Sequence, residues 1–217
     1  MMHKLEADSI QLSFDERKIL SDIYLKVETG KITGLLGRNG EGKSSLLKII
    51  YGSMAAEKSI RFDNQSEHFA YQRTDLIKYL PQFNFIPKHL SLKRVFQDFE
   101  IDYSQFEQQF DTFKSKSAST IESLSGGEHR LVELYVILKS KAQFALLDEP
   151  FTHLSPIQIE QVKTLIQEEK ANKGLIITDH LYQDVIGICD KLYVLANGKT
   201  YLASSLNDLE KIGYASV

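Results

Sequence analysis

Residues 37–44, Gly37-Arg38-Asn39-Gly40-Glu41-Gly42-Lys43-Ser44, fit G-x-x-x-x-G-K-[ST] at every fixed position. An apolar run containing Ile32, Leu35 and Leu36 leads into them, and residues 45–50 read as the first turns of a helix. The chemistry of such a loop is phosphate binding. Gly37, Gly40 and Gly42 are expected to permit φ > 0 and let the backbone wrap closely round a phosphate chain. The loop N–H groups then point at the anion, and the following helix adds the positive end of its dipole. Lys43 supplies a point charge to the β- and γ-phosphates, and the Ser44 hydroxyl is a ligand for Mg²⁺. A glycine-rich turn that merely precedes a helix shares part of this pattern. The strand before and the helix after are the context that favours a nucleotide site.

Three further groups could join that chemistry. Phe144 to Leu147 is a continuous apolar run ending in Asp148-Glu149-Pro150, as in a strand buried on both faces. Acids at the carboxyl end of such a strand lie where open α/β sheets bind ligands. Asp148 can hold Mg²⁺ through its water shell, and Glu149 can orient or deprotonate an attacking water. A second buried strand, residues 174–178, ends at Asp179-His180, which places His180 on the same sheet edge. Leu124-Ser125-Gly126-Gly127-Glu128 opens an apolar-faced helix, and its glycines offer a second loop of bare N–H groups.

The elements that must position these groups follow from periodicity. Residues 9–14 alternate through Ile10, Leu12 and Phe14 like a half-buried strand, and Phe14 reads as a core aromatic. Residues 19–27 repeat the alternation, and residues 28–31 turn into the strand that carries the loop. Ile60 and Phe62 mark a short strand, 77–80 another ending at Pro81-Gln82, and 63–75 between them reads as loop. Residues 83–123 change character. Leu92, Val95, Phe96 and Phe99 fall at helical spacing, as do Tyr103, Phe106, Phe110 and Phe113, which suggests a small helical subdomain whose aromatics form its core. Residues 114–123 are loop-like. Ser155-Pro156-Ile157-Gln158 is a capping box with proline at the first helical position. A short helix over 181–188 and a strand over 191–196 follow, and Asn197-Gly198 marks a type I′ hairpin into residues 200–202.

The bulk properties are those of a globular protein. At 217 residues, 42% hydrophobic and 25% charged, a single large α/β domain is the plainest reading. A net charge of −3 and a pI near 6.1 argue against nucleic acid as the main partner. The single cysteine, Cys189, excludes an internal disulfide, suits a reducing cytosol and reads as a small buried side chain near a helix end. The N-terminus lacks a signal-peptide pattern, and no apolar run approaches the ~20 residues that span a bilayer.

The order of these pieces resembles the nucleotide-binding domain of ATP-binding cassette (ABC) proteins over essentially the whole chain. Residues 37–44 look like the Walker A loop, Gln82 the Q-loop, 124–128 the LSGGQ-type signature, 144–149 Walker B with the catalytic glutamate, and His180 the switch histidine. The resemblance implies one ABC ATPase domain. Residues 1–82 and 124–217 would form the nucleotide-binding core, with a mostly parallel sheet and an N-terminal antiparallel β subdomain, and 83–123 the inserted helical subdomain. It also implies ATP and Mg²⁺. Phe14, which would stack on adenine, Gly37, Arg38, Asn39, Gly40, Glu41, Gly42, Lys43, Ser44 and Ser45 would contact nucleotide. Ser44, Gln82 and Asp148 would serve the metal, while Glu149, His180, Gln82 and Lys43 would act in hydrolysis. Ser125, Gly126, Gly127 and Glu128 would close on the ATP of a second subunit, so that two ATP molecules are sandwiched in a head-to-tail dimer. The expected function is the ATPase subunit of a membrane transporter, peripheral on the cytoplasmic face beneath an integral membrane partner. The alternative is a soluble, non-transport ABC ATPase of the iron–sulfur assembly kind.

The chain departs from the family pattern at three points. Glu128 replaces the usual signature glutamine. Ser155 stands where the D-loop normally has aspartate, which keeps the helix cap but loses a carboxylate that couples the two sites. Slower or less tightly coupled hydrolysis is expected from that loss. Glu41 brings a negative charge into the phosphate loop, harmless if its side chain turns to solvent. The chain stops soon after Leu209, which is expected to leave no room for an added regulatory domain.

Overall fold

The phosphate loop hangs from the carboxyl end of a strand in the middle of a six-stranded sheet. In the computed structural model, which describes residues 2–203, 206–212 and 214, this strand is β4 (Ile32–Leu36). Along the sheet the order is β11 (Lys199–Ala203), β10 (Lys191–Ala196), β4, β9 (Gly174–Thr178), β8 (Phe144–Asp148) and β7 (Ile77–Leu80). All pairings from β10 to β7 are parallel, and β11 joins β10 antiparallel. Every residue of β4, β8 and β9 is buried, which explains their continuous apolar runs. Parallel register brings the carboxyl ends of β4, β8 and β9 to one edge, and the residues with chemistry sit there.

Each face of this sheet has its own core. Leu35, Phe144, Leu146 and Ile176 pack with α1 (Lys43–Tyr51) and with a second, antiparallel sheet. That sheet consists of β1 (Lys4–Phe14), β2 (Arg17–Leu20), β3 (Tyr24–Glu28), β5 (Glu57–Phe62) and β6 (Gln65–Ser66). Ala145, Leu147, Leu175 and Ile177 face the other way, into a core shared with α4 (Gly126–Lys139), α5 (Pro156–Glu169) and α6 (Tyr182–Ile188). The fold is therefore mixed α/β, with an antiparallel sheet beside a mostly parallel one, as the sequence suggested.

Residues 83–123 contribute α2 (Leu92–Asp98) and α3 (Tyr103–Gln109), capped by the Ser91 and Asp102 side chains. Their aromatic stripe is core, as periodicity suggested. The Phe106 ring stands 4.5 Å from Phe113, 4.7 Å from Tyr135 of α4 and 4.9 Å from Phe96. Tyr135 thus ties the insert to the helix that follows the signature loop.

Several local expectations need correction. The alternating run 19–27 is two strands, because the Ser21 and Asp22 N–H groups leave the sheet to donate to the Gly198 carbonyl. The supposed loop 63–75 contains β6 and a 3-10 turn, Ala70–Gln72. The second aromatic helix stops at Gln109; Phe110 is its extended C-cap, and Phe113 lies in the 3-10 turn Asp111–Phe113. Cys189 does cap α6, but it is half-buried rather than buried. The Asn197-Gly198 turn has φ of 51° and 75°, both positive as type I′ requires. Beyond β11, α7 (Leu206–Lys211) precedes Tyr214, and residues 215–217, on which the expectation about the chain's end partly rests, lie outside the described residues.

Candidate nucleotide site

A cavity of about 550 Å³ opens at the carboxyl edge of the parallel sheet. Asn39, Gly40, Gly42, Lys43, Ser44 and Ser45 form one wall, and Gln82, Glu149 and His180 face them. Phe14 and Ile19 close the side toward the antiparallel sheet. Phe14 is 53% exposed, so its reading as a core aromatic is wrong. It ends β1 beside the hairpin turn, opposite Arg17 of the short strand β2 and beyond the stretch paired with β3 and β5.

The loop's glycines answer different needs. Gly42 is the N-cap of α1 with φ 98°, a left-handed conformation open to glycine. Gly37 does not have positive φ, contrary to expectation. A Cβ there would lie 2.7 Å from the Leu195 carbonyl oxygen, so its requirement is close packing against β10. No side chain caps the N-terminus of α1 and no acid occupies its first turn, which leaves its N–H groups for an anion. Lys43, nearly buried, donates to the Gly37 carbonyl at 2.7 Å and the Arg38 carbonyl at 3.2 Å. Burial pulls its ammonium below the usual lysine value, against the attraction of Glu149 and Asp148.

Asp148 ends β8 and is 1% exposed. It accepts from the Ser44 hydroxyl at 3.0 Å and from the Tyr79 hydroxyl at 2.9 Å. Burial raises the Asp148 carboxyl above the ordinary aspartate value, and these two hydrogen bonds oppose the rise. Glu149 follows with φ 50°. Its carboxylate accepts from the Gln82 side-chain amide at 3.0 Å and from the Thr152 hydroxyl at 3.3 Å. His180 Nδ1 lies 3.7 Å from the same carboxylate oxygen.

Arg38 and Glu41 sit apart from this cavity and line a neighbouring one near Asn197 and Tyr214. The Glu41 carboxylate does not simply turn to solvent. It accepts from the Asn197 N–H at 3.0 Å and ties the phosphate loop to the β10–β11 hairpin. Ser125, Gly126, Gly127 and Glu128 are likewise absent from the cavity wall. Ser125 caps α4 in a capping box with Glu128, and Lys116 pairs with the Glu128 carboxylate at 2.7 Å. Burial pushes that carboxyl up, but Lys116 and the Ser125 N–H hold it below the usual glutamate range.

The sequence reading missed three supporting residues. Tyr79 lay inside the strand 77–80, where the sequence pattern carries no signal for its bond to Asp148. Thr152 lies in a loop read only for its missing aspartate. Asp179 was noted without a role; fully buried, it accepts from the Phe151 N–H at 3.0 Å and the Leu181 N–H at 2.9 Å, joining the loops that follow Glu149 and His180.

The chain's resemblances agree with this geometry. The model of the family described as ABC transporter matches residues 20–152. The lipopolysaccharide export system ATP-binding protein LptB of Acidithiobacillus ferridurans is 30% identical over 96% of this chain and 93% of its own length. LptB of Haemophilus influenzae is 32% identical, with 91% and 89% covered. A probable ABC transporter ATP-binding protein of Azorhizobium caulinodans is 33% identical over 89% of this chain and 74% of its own length. A solved structure of an ATP binding subunit of an ABC transporter superposes with a TM-score of 0.80 at 21% identity, covering 98% of this chain and 95% of that one. With the family model spanning more than half of its length and such relatives spanning nearly all of it, this chain belongs to the ABC transporter family, as one of its ATP-binding subunits.

Proposed function

We propose that the chain hydrolyses ATP at this cavity and drives a membrane transporter through an ATP-dependent, head-to-tail dimer. The observation that carries this reading is convergence: the Lys43 ammonium, the Ser44–Asp148 oxygens and the Glu149 carboxylate all meet at one sheet edge. Ser44 and Asp148, with oxygens 3.0 Å apart, suit a hard divalent cation, and both would hold Mg²⁺. That ion, when bound, supplies positive charge for the β- and γ-phosphates. Gln82, also expected to serve the metal, here bonds Glu149.

The protein's own residues divide the remaining work. Lys43 and the α1 N-terminus bind phosphate, and Phe14 offers a face for the base. Glu149 takes the proton of the attacking water, held in place by Gln82 and Thr152, with His180 beside it. Ser125, Gly126 and Gly127 lie outside their own chain's cavity, which favours their use on the ATP of a second subunit. Residues 1–82 and 124–217 then act as the nucleotide-binding core and 83–123 as a helical subdomain hinged at Gln82. Immediately after Gln82, Phe83 is 77% exposed, an apolar contact for a partner. Among the described residues no helix is long and apolar enough to cross a membrane. In the proposed arrangement an integral membrane subunit carries the transport path, and this chain sits on its cytoplasmic face. The relatives' names, with lipopolysaccharide export among them, support a transporter.

The test is a pull-down of tagged Glu149→Gln protein from detergent-solubilised native membranes with ATP and Mg²⁺. A multi-span protein recovered in near-equal amount is expected. Recovery of cytosolic proteins alone would overturn the transporter reading.

A further inference from the structure

Arg130 is 1% exposed, in the second turn of α4, five residues after the signature serine. A charge there needs partners. Its Nη2 donates to the carbonyl of Asp148 at 2.8 Å and to the carbonyl of Glu149 at 2.9 Å. Its Nη1 donates to the carbonyl of Pro81 at 2.8 Å, the residue before Gln82. The nearest acid, Glu133, is fully buried and stands 3.6 Å from Nη1, beyond hydrogen-bond distance. Glu133 instead accepts from the N–H groups of Phe85 at 2.6 Å and Ile86 at 3.0 Å. Among the described residues, Arg130 Nε and Glu133 Oε2 find no hydrogen-bond partner. Glu133 Oε1 also stands 3.2 Å from the buried Nε2 of His129, and the Arg130–Glu133 pair is spread over three backbone segments.

Glu149 explains why such a clamp is needed. Its φ of 50° lies in the left-handed region that a glutamate rarely adopts. Donors on two successive carbonyls fix the peptide planes on either side of that residue, and so fix where its carboxylate points. We propose that Arg130 is a positioning residue for Glu149, and that Arg130 and Glu133 make α4, the Gln82 loop and the end of β8 move as one unit. The proposal rests on the reading of Glu149 as the group that activates water. Its consequence is directional. The α4 N-terminus carries Ser125, Gly126 and Gly127, so a ligand bound there by a second chain acts, through Arg130, on this chain's own Glu149.

Steady-state ATPase assays and binding of a fluorescent ATP analogue to Arg130→Met, Arg130→Lys, Arg130→Met/Glu133→Gln and Glu149→Gln test this. The double variant removes both buried charges yet leaves an amide oxygen for the Phe85 and Ile86 N–H groups. It keeps the test alive should Arg130→Met not fold. The expected result is a kcat about 30-fold lower or worse in Arg130→Met and the double variant, with KM and analogue affinity within about twofold. Arg130→Lys should recover about tenfold of that loss, since an ammonium can reach one carbonyl. A double variant with kcat within about threefold of wild type, beside an inactive Glu149→Gln, would overturn the proposal. So would a loss in affinity matching the loss in kcat. Should Glu149→Gln itself turn over normally, the role of Glu149 fails and the proposal with it, a result distinct from the other two.

Discussion

The side-chain amide of Gln82 donates to the carboxylate of Glu149 across 3.0 Å, binding the segment that follows β7 to the acid just past the end of β8. Because Gln82 sits where the chain leaves β7, any shift of residues 83–123 reaches Glu149 through this bond. Gln82→Ala is expected to lower kcat by about 10- to 100-fold while ATP affinity changes by less than about threefold. Phosphate release and equilibrium binding measure the two. A loss of affinity with kcat unchanged would assign Gln82 to nucleotide binding alone.

Phe14 separates stability from binding. It is 53% exposed, so Phe14→Ala should leave the urea midpoint within the equivalent of about 0.5 kcal/mol. Loss of a stacking face should weaken ATP binding by about 1–3 kcal/mol, and GTP binding similarly, since every base has a π-face. Calorimetric titration with both nucleotides checks this.

What the sequence made legible follows the physics of each feature. β4, β8 and β9 were readable because strands buried on both faces must be apolar throughout, and their carboxyl ends then named the site's edge. The phosphate loop was readable because its glycines and lysine answer a local geometry, although Gly37 turned out to serve packing against Leu195 rather than φ. Phe14 misled because alternation reports the strand but not where its cover ends. Arg130 and Glu133 were invisible for a related reason: their partners are backbone groups of segments 47–49 and 18–19 residues away in sequence, and no periodicity encodes such a contact.

Lys173 gives the fold a pH signature. It is 2% exposed and donates to the carbonyls of Leu138 and Ser140 at the end of α4. Burial pulls its pKa from 10.5 to about 8. Between those values the unfolded chain binds more protons than the folded one, so this group makes stability rise with pH. Its charge costs stability below pH 8, and the cost disappears as pH passes 10.5. The stability difference between wild type and Lys173→Met should therefore shift in favour of wild type across that window, by roughly 3 kcal/mol at most. Urea unfolding at successive pH values measures it; a constant difference would contradict the assignment.

Ser155 caps α5 through its side chain, with Gln158 closing the capping box. Aspartate caps a helix as well as serine does, so Ser155→Asp should keep the thermal midpoint. If the missing carboxylate is what slows coupled hydrolysis, the same change should raise kcat by about two- to fivefold. An unchanged kcat would show that the chain has no use for an acid at this position.

The central claim is that one chain's cavity is completed by another chain's signature loop, because Ser125, Gly126 and Gly127 take no part in their own chain's cavity. The most direct measurement is the mass of Glu149→Gln protein in solution by light scattering, with and without ATP. The 24.8 kDa chain is expected to double in mass when ATP is added and to stay single when Ser125→Arg is also present. A chain that binds ATP fully and remains single at high concentration would contradict it.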